Sequence, residues 1–171
     1  SIACFNTTYE IGNGYLLPAG PLRESLSTLR NYSAIFLVGD KKNEKLFSIL
    51  RTFNNKIFYS NYSALNIKEF NMKKKYLFFC GIGNPEEFEN TLKKYKFNIV
   101  DKIIFPDHYN FKDNEINDIK KLAAQNNLEI ITTEKDYERL SKKNKKNISF
   151  LKVELKIKNK NKFSNFIKEK I

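Results

Sequence analysis

Apolar positions recur along the chain with two periods, one typical of buried strands and one typical of amphipathic helices. The run Ala34–Val38 is apolar throughout, which predicts a strand covered on both faces of a sheet. Residues 44–53 place apolar side chains three and four positions apart, from Leu46 to Phe53. This spacing predicts a helix that buries one face.

The same analysis divides the rest of the chain into short strands and helices. Further strands are predicted at residues 1–5, 56–59, 76–80, 99–105, 128–131 and 148–155. Further helices are predicted after Pro21 and Pro85, over residues 115–126 and 134–144, and around residues 163–167. This alternation predicts an α/β fold, a three-layer α/β/α sandwich with a mostly parallel sheet.

Two of the helix starts carry local signals. Pro21 suits a first helical turn, and leucines at positions 22, 26 and 29 follow it at helical spacing. Asn84 suits an N-cap, Pro85 suits the first helical position, and two glutamates follow in the first turn. We therefore expect both segments to be helical.

Composition narrows the class of protein. The 171 residues carry a net charge of +12, with 27 Lys, 4 Arg and 22 Asn. An AT-rich genome produces such a skew towards Lys and Asn, and a polyanion-binding surface is the alternative explanation. No apolar run approaches the ~18 residues of a membrane span. Two cysteines 76 positions apart exclude a disulfide scaffold, so we expect a reducing compartment.

Candidate chemistry lies where predicted parallel strands end, because ligands of open α/β sheets bind at that edge. His108, the one histidine of the chain, follows the strand at 99–105, and adjacent Asp107 is placed to fix its tautomer. The alternative is a turn in which Asp107 bonds its own backbone. The residues by themselves leave both interpretations open.

Two more segments are candidates. One follows the strand at 128–131 and opens a helix with Thr133, Glu134, Lys135 and Asp136. Thr133 and Asp136 have the spacing of a capping box. Two acids in the first turn disfavour a phosphate site at this helix start. The loop before residue 24 ends in a scarce arginine, Arg23, whose fork suits a phosphate, followed by a glutamate. A surface ion pair at a helix start is the alternative there.

Several catalytic motifs are absent from the sequence. There is no GxxxxGK[ST] phosphate loop, no HExxH zinc motif and no GxSxG elbow. The segment at residues 81–84 lacks the third glycine of GxGxxG, so we interpret it as a packing turn.

Four segments in this order resemble the tetraacyldisaccharide 4'-kinase family, the lipid A 4'-kinase of Gram-negative bacteria. They are GNGYLLPAGPLRE at 12–24, CGIGNP at 80–85, FPDH at 105–108 and TTEKD at 132–136. The resemblance extends from about residue 11 to 140, and the first segment is the most specific.

The resemblance implies transfer of the ATP γ-phosphate, with Mg²⁺, to the 4'-hydroxyl of a tetraacyldisaccharide 1-phosphate, the lipid A disaccharide precursor. It implies a peripheral enzyme at the cytoplasmic face of the inner membrane, with no nucleic-acid partner. Members have two α/β/α lobes, so this chain would be the C-terminal portion of a P-loop kinase-like enzyme. Residues 1–20 would end the N-terminal lobe or linker, 21–155 would form the C-terminal lobe, and 156–171 a linker and helix. ATP and Mg²⁺ would bind mainly through the other lobe.

The resemblance also implies roles for individual residues. His108 matches the histidine that pairs with an aspartate of the other lobe to deprotonate the attacking hydroxyl. Arg23 and Glu24 match residues near the cleft between the lobes. Arg23 would bind a phosphate oxygen, and Glu24 would orient Arg23 or contact a metal ion. Asp107, Thr133 and Lys135 are supporting candidates. Tyr109 departs from the pattern, because many members have a second histidine there.

Two other functions remain as alternatives. One is a non-catalytic remnant on a kinase-like fold. The other is a basic nucleic-acid-binding domain, which the lysines disfavour because they are spread over most helices instead of clustering with aromatics. We also expect the chain to be inactive by itself, since it lacks a phosphate loop.

Overall fold

The structure, a computed structural model, describes residues 1–40, 44–53 and 56–170. Its strands in chain order are β1 (Ile2–Asn6), β2 (Ala34–Val38), β3 (Ile57–Ala64), β4 (Lys75–Cys80), β5 (Asn98–Ile104), β6 (Glu129–Thr133), β7 (Ser149–Leu151) and β8 (Val153–Ile157). Its α-helices are α1 (Glu44–Phe53), α2 (Pro85–Lys94), α3 (Asp113–Gln125), α4 (Glu134–Arg139) and α5 (Lys160–Lys168). Two short 3₁₀ helices cover Leu26–Asn31 and Ile67–Glu69.

The chain divides into two compact units, each with its own four-stranded sheet. Unit 1 comprises Ser1–Ser63 with Leu155–Ile171, and unit 2 comprises Ala64–Glu154. The strand orders are β1-β2-β3-β8 and β5-β4-β6-β7, and neighbours within β1-β2-β3 and β5-β4-β6-β7 pair in parallel. The predicted α/β class with mostly parallel strands is confirmed, although the strands form two sheets instead of one. The predicted assignment of 1–20, 21–155 and 156–171 to parts of a two-lobed enzyme stays a prediction.

Helices cover both faces of the sheet in unit 1. On one face, Ile35 and Leu37 of β2 pack with Leu46 and Leu50 of α1. On the other face, alternate residues of β2 pack with Phe166 of α5. This arrangement explains why β2 is apolar at every position.

Unit 2 has the same layered construction around β4. Phe78 lies in a cluster with Phe88 and Leu92 of α2. Phe79, which points to the opposite face, lies in a cluster with Ile116 of α3. Since successive strand residues point to opposite faces, one apolar strand holds a helix on each side. β4 is therefore the centre of the unit 2 core.

Several predicted elements have different boundaries in the structure. The helix predicted after Pro21 begins later, as the 3₁₀ helix Leu26–Asn31. The preceding loop bonds across itself: Leu17 N–H donates to the Leu22 carbonyl, and Leu22 N–H donates to the Tyr15 carbonyl. The predicted helix at 134–144 ends at Arg139, where Leu140 turns extended.

The strand predicted at 148–155 is divided in two. β7 ends at Leu151 and β8 begins at Val153. Between them, Lys152 N–H donates to Asn66 Oδ1 at 2.9 Å instead of joining a strand ladder. A side chain from the 65–74 segment thus separates the two strands.

A buried carboxylate connects the end of β4 to α4. Asp136 is fully buried, and its Oδ2 accepts hydrogen bonds from Gly81 N–H at 2.9 Å and from the Thr133 hydroxyl at 2.8 Å. Thr133 Oγ1 in turn accepts from Asp136 N–H at 3.1 Å, which confirms the predicted cap. Asp136 therefore does more than cap a helix, because it joins two neighbouring strand ends.

The N-cap of α2 gives a first prediction. Asn84 Oδ1 accepts from Glu87 N–H, as the sequence predicts. Asn84→Ala removes this acceptor and should lower the free energy of unfolding by about 1 kcal/mol, measured by urea denaturation of the chain. Asn90→Ala, an exposed position in the same helix, is the matched control and should cost nothing. Equal losses in both variants would contradict the cap.

The two cysteines give a second prediction. Burial, and secondly the Asp136 carboxylate, raise the pKa of the Cys80 thiol to about 12, whereas Cys4 is exposed. Because the thiolate is the nucleophile, a raised pKa keeps Cys80 neutral and unreactive at pH 8. Iodoacetamide should label Cys4 alone in the native chain and both cysteines in denaturant, as read by peptide mass spectrometry. Labelling of Cys80 at the Cys4 rate under native conditions would contradict this.

Candidate functional site

Three strand ends meet at one edge of the unit 2 sheet. β4 lies between β5 and β6 and pairs with both in parallel. Their carboxyl ends therefore lie side by side, as expected for the ligand edge of an open α/β sheet. The residues that follow them are Gly81 after β4, Asp107 and His108 after β5, and the start of α4 after β6.

The backbone at His108 is held in an uncommon conformation. Its φ is 60°, in the left-handed region that few residues other than glycine adopt. His108 N–H donates to Asp107 Oδ1 at 2.9 Å and to the Gly81 carbonyl at 3.2 Å. These bonds place the imidazole on the surface, where the side chain is 70% exposed.

The ring of His108 is bonded to an arginine. Arg139 Nη2 lies 2.8 Å from His108 Nδ1. A guanidinium can only donate, so Nδ1 accepts and the proton of the neutral ring is on Nε2. The neutral ring therefore keeps its acceptor on Arg139 and its N–H donor at Nε2.

Arg139 is held in turn by the buried carboxylate. Its Nη1 lies 3.5 Å from Asp136 Oδ1 and 3.5 Å from the Gly81 carbonyl oxygen. Both distances are long for hydrogen bonds, so the attraction of opposite charges is the main contribution. The Arg139 side chain is 25% exposed and that of Asp136 is fully buried, which limits screening by water.

Close packing at Gly81 supports this arrangement. A Cβ at Gly81 would lie 3.2 Å from the Pro106 carbonyl oxygen and 3.2 Å from Tyr109 Cβ. The loop after β5 therefore packs against the bare backbone of Gly81. This agrees with the interpretation of residues 81–84 as a packing turn.

The supporting candidates lie in the same region. Asp107 Oδ1 lies 3.8 Å from Lys135 Nζ, and both side chains are about half exposed. Asp107 Oδ2 lies 3.8 Å from His108 Nε2, beyond hydrogen-bond range. Asp107 therefore bonds the His108 backbone more closely than its ring, and Thr133 acts here as a helix cap.

Tyr109 is part of the packing beneath the loop. Its hydroxyl donates to Glu115 Oε1 at 2.7 Å, and its ring stacks on Phe105. The hydrogen bond to this carboxylate raises the pKa of the Tyr109 hydroxyl. Of the two neighbouring positions, His108 is the one that presents its ring to solvent.

Arg23 and Glu24 lie in unit 1 and line a cleft of about 520 Å³ beside β1. Both side chains are exposed. Glu24 Oε2 accepts from the Thr28 hydroxyl at 3.1 Å and from the Tyr32 hydroxyl at 3.2 Å. The hydrogen bond and the negative charge of Glu24 raise the pKa of Tyr32. Glu10 also lines the cleft, so the exposed guanidinium of Arg23 shares it with two carboxylates, of which Glu24 is held by Thr28 and Tyr32.

The described residues offer little to a metal ion. Within residues 1–40, 44–53 and 56–170, no three His, Cys, Asp or Glu side chains cluster closely enough to hold one. Glu24 by itself can supply one carboxylate ligand. In the same ranges, no helix has both the length and the apolar character needed to cross a membrane.

The structure brings four of the six residues predicted from the sequence together at this edge, next to an arginine that the sequence analysis did not single out. Asp107, His108, Thr133 and Lys135 converge in unit 2, as their positions at strand ends predict. Arg139 was missed, although it lies one helical turn after Asp136 and is one of four arginines in a chain with 27 lysines. That scarcity was the available signal.

Comparison with known proteins identifies the family. The model of the tetraacyldisaccharide-1-P 4'-kinase family matches residues 1–171. A tetraacyldisaccharide 4'-kinase of Pelagibacter ubique is 42% identical over 161 residues, covering 91% of this chain and 51% of that protein. A tetraacyldisaccharide 4'-kinase of Rickettsia canadensis is 40% identical over 161 residues, covering 94% of this chain and 47% of that protein. The chain thus spans about half the length of these relatives.

A solved structure shares the fold. The structure of LpxK from Aquifex aeolicus, described as an "apo" form in complex with ATP, superposes with a TM-score of 0.62 at 23% identity. The superposition covers 98% of this chain and 51% of the Aquifex chain. The resemblance seen in the four sequence segments is therefore confirmed, and this chain belongs to the tetraacyldisaccharide-1-P 4'-kinase family.

Proposed function

We propose that this chain forms about half of an enzyme that transfers the γ-phosphate of ATP to the 4'-hydroxyl of a tetraacyldisaccharide 1-phosphate. The observation that carries the proposal is the exposed ring of His108 at the carboxyl edge of a parallel sheet, fixed at Nδ1 and open at Nε2. Two relatives that are 42% and 40% identical to this chain over 161 aligned residues are named for that activity.

The orientation of the ring suits the pairing with an aspartate that the resemblance implies. Nε2–H would donate to a carboxylate supplied by the part of the enzyme outside this chain. That carboxylate would accept the proton of the 4'-hydroxyl. At the same time the 4'-oxygen forms a bond to the γ-phosphorus, and the bond between the γ-phosphorus and the oxygen of the leaving ADP breaks. Phosphoryl transfer depends mainly on positioning and charge stabilisation, so a base that orients the nucleophile is sufficient.

Arg23 and Glu24 would act on the phosphates. An exposed guanidinium can bind two oxygens of one phosphate, and Glu24 is already oriented by Thr28 and Tyr32. When bound, Mg²⁺ would neutralise charge on the phosphates. It usually takes one or two carboxylates together with substrate oxygens, so Glu24 could supply at most one of its ligands here. We place the rest of the ATP and Mg²⁺ site outside this chain.

The setting proposed for the enzyme is the cytoplasmic face of the inner membrane, as a peripheral protein. A lipid substrate has to be met at a membrane surface, and the net charge of +12 favours an anionic leaflet. The chain by itself should not catalyse the reaction, because its sequence contains no phosphate loop. Mixing it with the separately produced remainder of the enzyme should restore formation of the 4'-phosphorylated product.

The role of His108 gives a third prediction. In the complete enzyme from the same source, His108→Ala should lower kcat by about 10²- to 10⁴-fold, measured as transfer of labelled phosphate from ATP to the disaccharide. Lys121→Ala, which removes an exposed lysine on α3, is the control and should leave the rate unchanged. Full activity of His108→Ala would remove the histidine from the mechanism.

The role of Arg23 gives a fourth prediction. Arg23→Ala in the complete enzyme should raise KM for one of the two substrates by about 10- to 100-fold, the loss expected for a hydrogen bond to a charged group. Arg30→Ala removes another exposed arginine of unit 1 and is the matched control. If the two variants have the same KM values for ATP and for the disaccharide, Arg23 does not bind phosphate.

A further inference from the structure

We propose that Arg139 is a positioning residue for His108, with the buried carboxylate of Asp136 holding Arg139 in place. This inference rests on the proposed function and adds a residue to its machinery. Arg139 lies on α4, the segment after β6, whereas His108 follows β5. Their contact joins two of the three strand ends at this edge.

The contact fixes which ring nitrogen carries the proton. Nδ1 accepts from Arg139 at 2.8 Å, so in the neutral ring Nε2 is the N–H nitrogen, on a side chain that is 70% exposed. If the ring proton moved to Nδ1, two donors would face each other and the bond would be lost. The arginine therefore selects the tautomer with its donor at Nε2.

The contact also fixes the angle of the ring. The backbone bonds of His108 set where the side chain begins, but an exposed imidazole is free to rotate about its side-chain torsions. Asp107 Oδ2, at 3.8 Å, is too far to hold Nε2. Among the described residues, Arg139 makes the one hydrogen bond to the ring, so its removal should free the ring to turn.

The position of Arg139 is itself determined by burial. Asp136 is fully buried and accepts from Gly81 N–H and the Thr133 hydroxyl, so its carboxylate cannot shift without losing these bonds. Its second oxygen faces Arg139 three residues later on the same helix. The chain of contacts thus runs from the sheet interior through Asp136 and Arg139 to the exposed ring.

The first test reads the tautomer directly. His108 is the one histidine among the 171 residues, so ¹⁵N-histidine labelling of this chain gives a single imidazole spectrum. For the neutral ring we expect the Nε2–H tautomer alone in the unmodified chain. In Arg139→Met, the Nδ1–H form should appear in exchange. Arg139→Lys, which retains a donor, should restore the Nε2–H form at least in part.

Lys142→Met removes an exposed cation just after α4 and is the matched control. It should leave the spectrum of the unmodified chain unchanged. Thermal unfolding checks that each variant is folded, and Arg139→Gln serves if Arg139→Met is not. An identical tautomer ratio with and without Arg139 in a folded chain would overturn the proposal, whether or not the complete enzyme is active.

The second test is a double-mutant cycle in the complete enzyme. Arg139→Met should lower kcat about tenfold or more with KM within twofold of its original value, because the ring rather than substrate binding is disturbed. In a His108→Ala background the same change should alter kcat by less than about twofold, as expected for residues acting as a unit. Equal losses in both backgrounds, or a raised KM with kcat unchanged, would show that Arg139 acts on substrate independently and would overturn the proposal.

The two tests separate this inference from the proposed function. If the complete enzyme transfers no phosphate to the disaccharide, the proposed function fails, and the spectrum still decides whether Arg139 holds the ring. If the enzyme is active and the cycle is additive, the positioning role alone fails.

Discussion

The buried carboxylate of Asp136 is the constraint on which the site in unit 2 depends. A carboxylate taken out of water is costly unless its oxygens accept hydrogen bonds or face a positive charge. Here one oxygen accepts from Gly81 N–H and the Thr133 hydroxyl, and the other faces Arg139. The bonds of this one group therefore join the turn after β4 to the start of α4 and hold the arginine in place.

The sheet topology gives this carboxylate its partners. β4 is the central strand, apolar on both faces, and it pairs in parallel with β5 and β6. The three strands consequently deliver their following residues to one edge, although these residues are up to 58 positions apart in the chain. α2 and α3 pack on the opposite faces of the same strand, so β4 belongs both to the apolar core and, through its end, to the polar edge.

Much of this fold follows from local rules that a sequence displays. The 3.6-residue spacing from Leu46 to Phe53 predicts α1 with the observed limits, and Asn84 with Pro85 predicts the start of α2. The ends of β4 and β5 were predicted to within one residue, and with them the neighbourhood of His108, whereas β3 extends five residues beyond its predicted end. Local rules failed where a distant group competes, as at Lys152, whose N–H bonds the Asn66 side chain, and at Pro21, whose loop bonds across itself.

Contacts between distant side chains were outside the reach of such rules. The spacing of Thr133 and Asp136 predicts a cap, but nothing local indicates that the carboxylate also binds Gly81, 55 positions earlier. Arg139 at the end of α4 looks like an ordinary cation at a helix C-terminus, which is a favourable place for one. Its bond to His108 requires the parallel pairing of β4 with both neighbours, a property of the whole sheet.

The left-handed backbone at His108 has a consequence for how the protein can be altered. A residue other than glycine with φ near 60° costs of order 1 kcal/mol in backbone strain. A search for stabilising substitutions that ranks residues by backbone strain would favour His108→Gly, because glycine adopts this φ without strain. Such a variant would trade the imidazole for a more relaxed loop. Thermostabilised versions of this protein should therefore be chosen with position 108 held fixed.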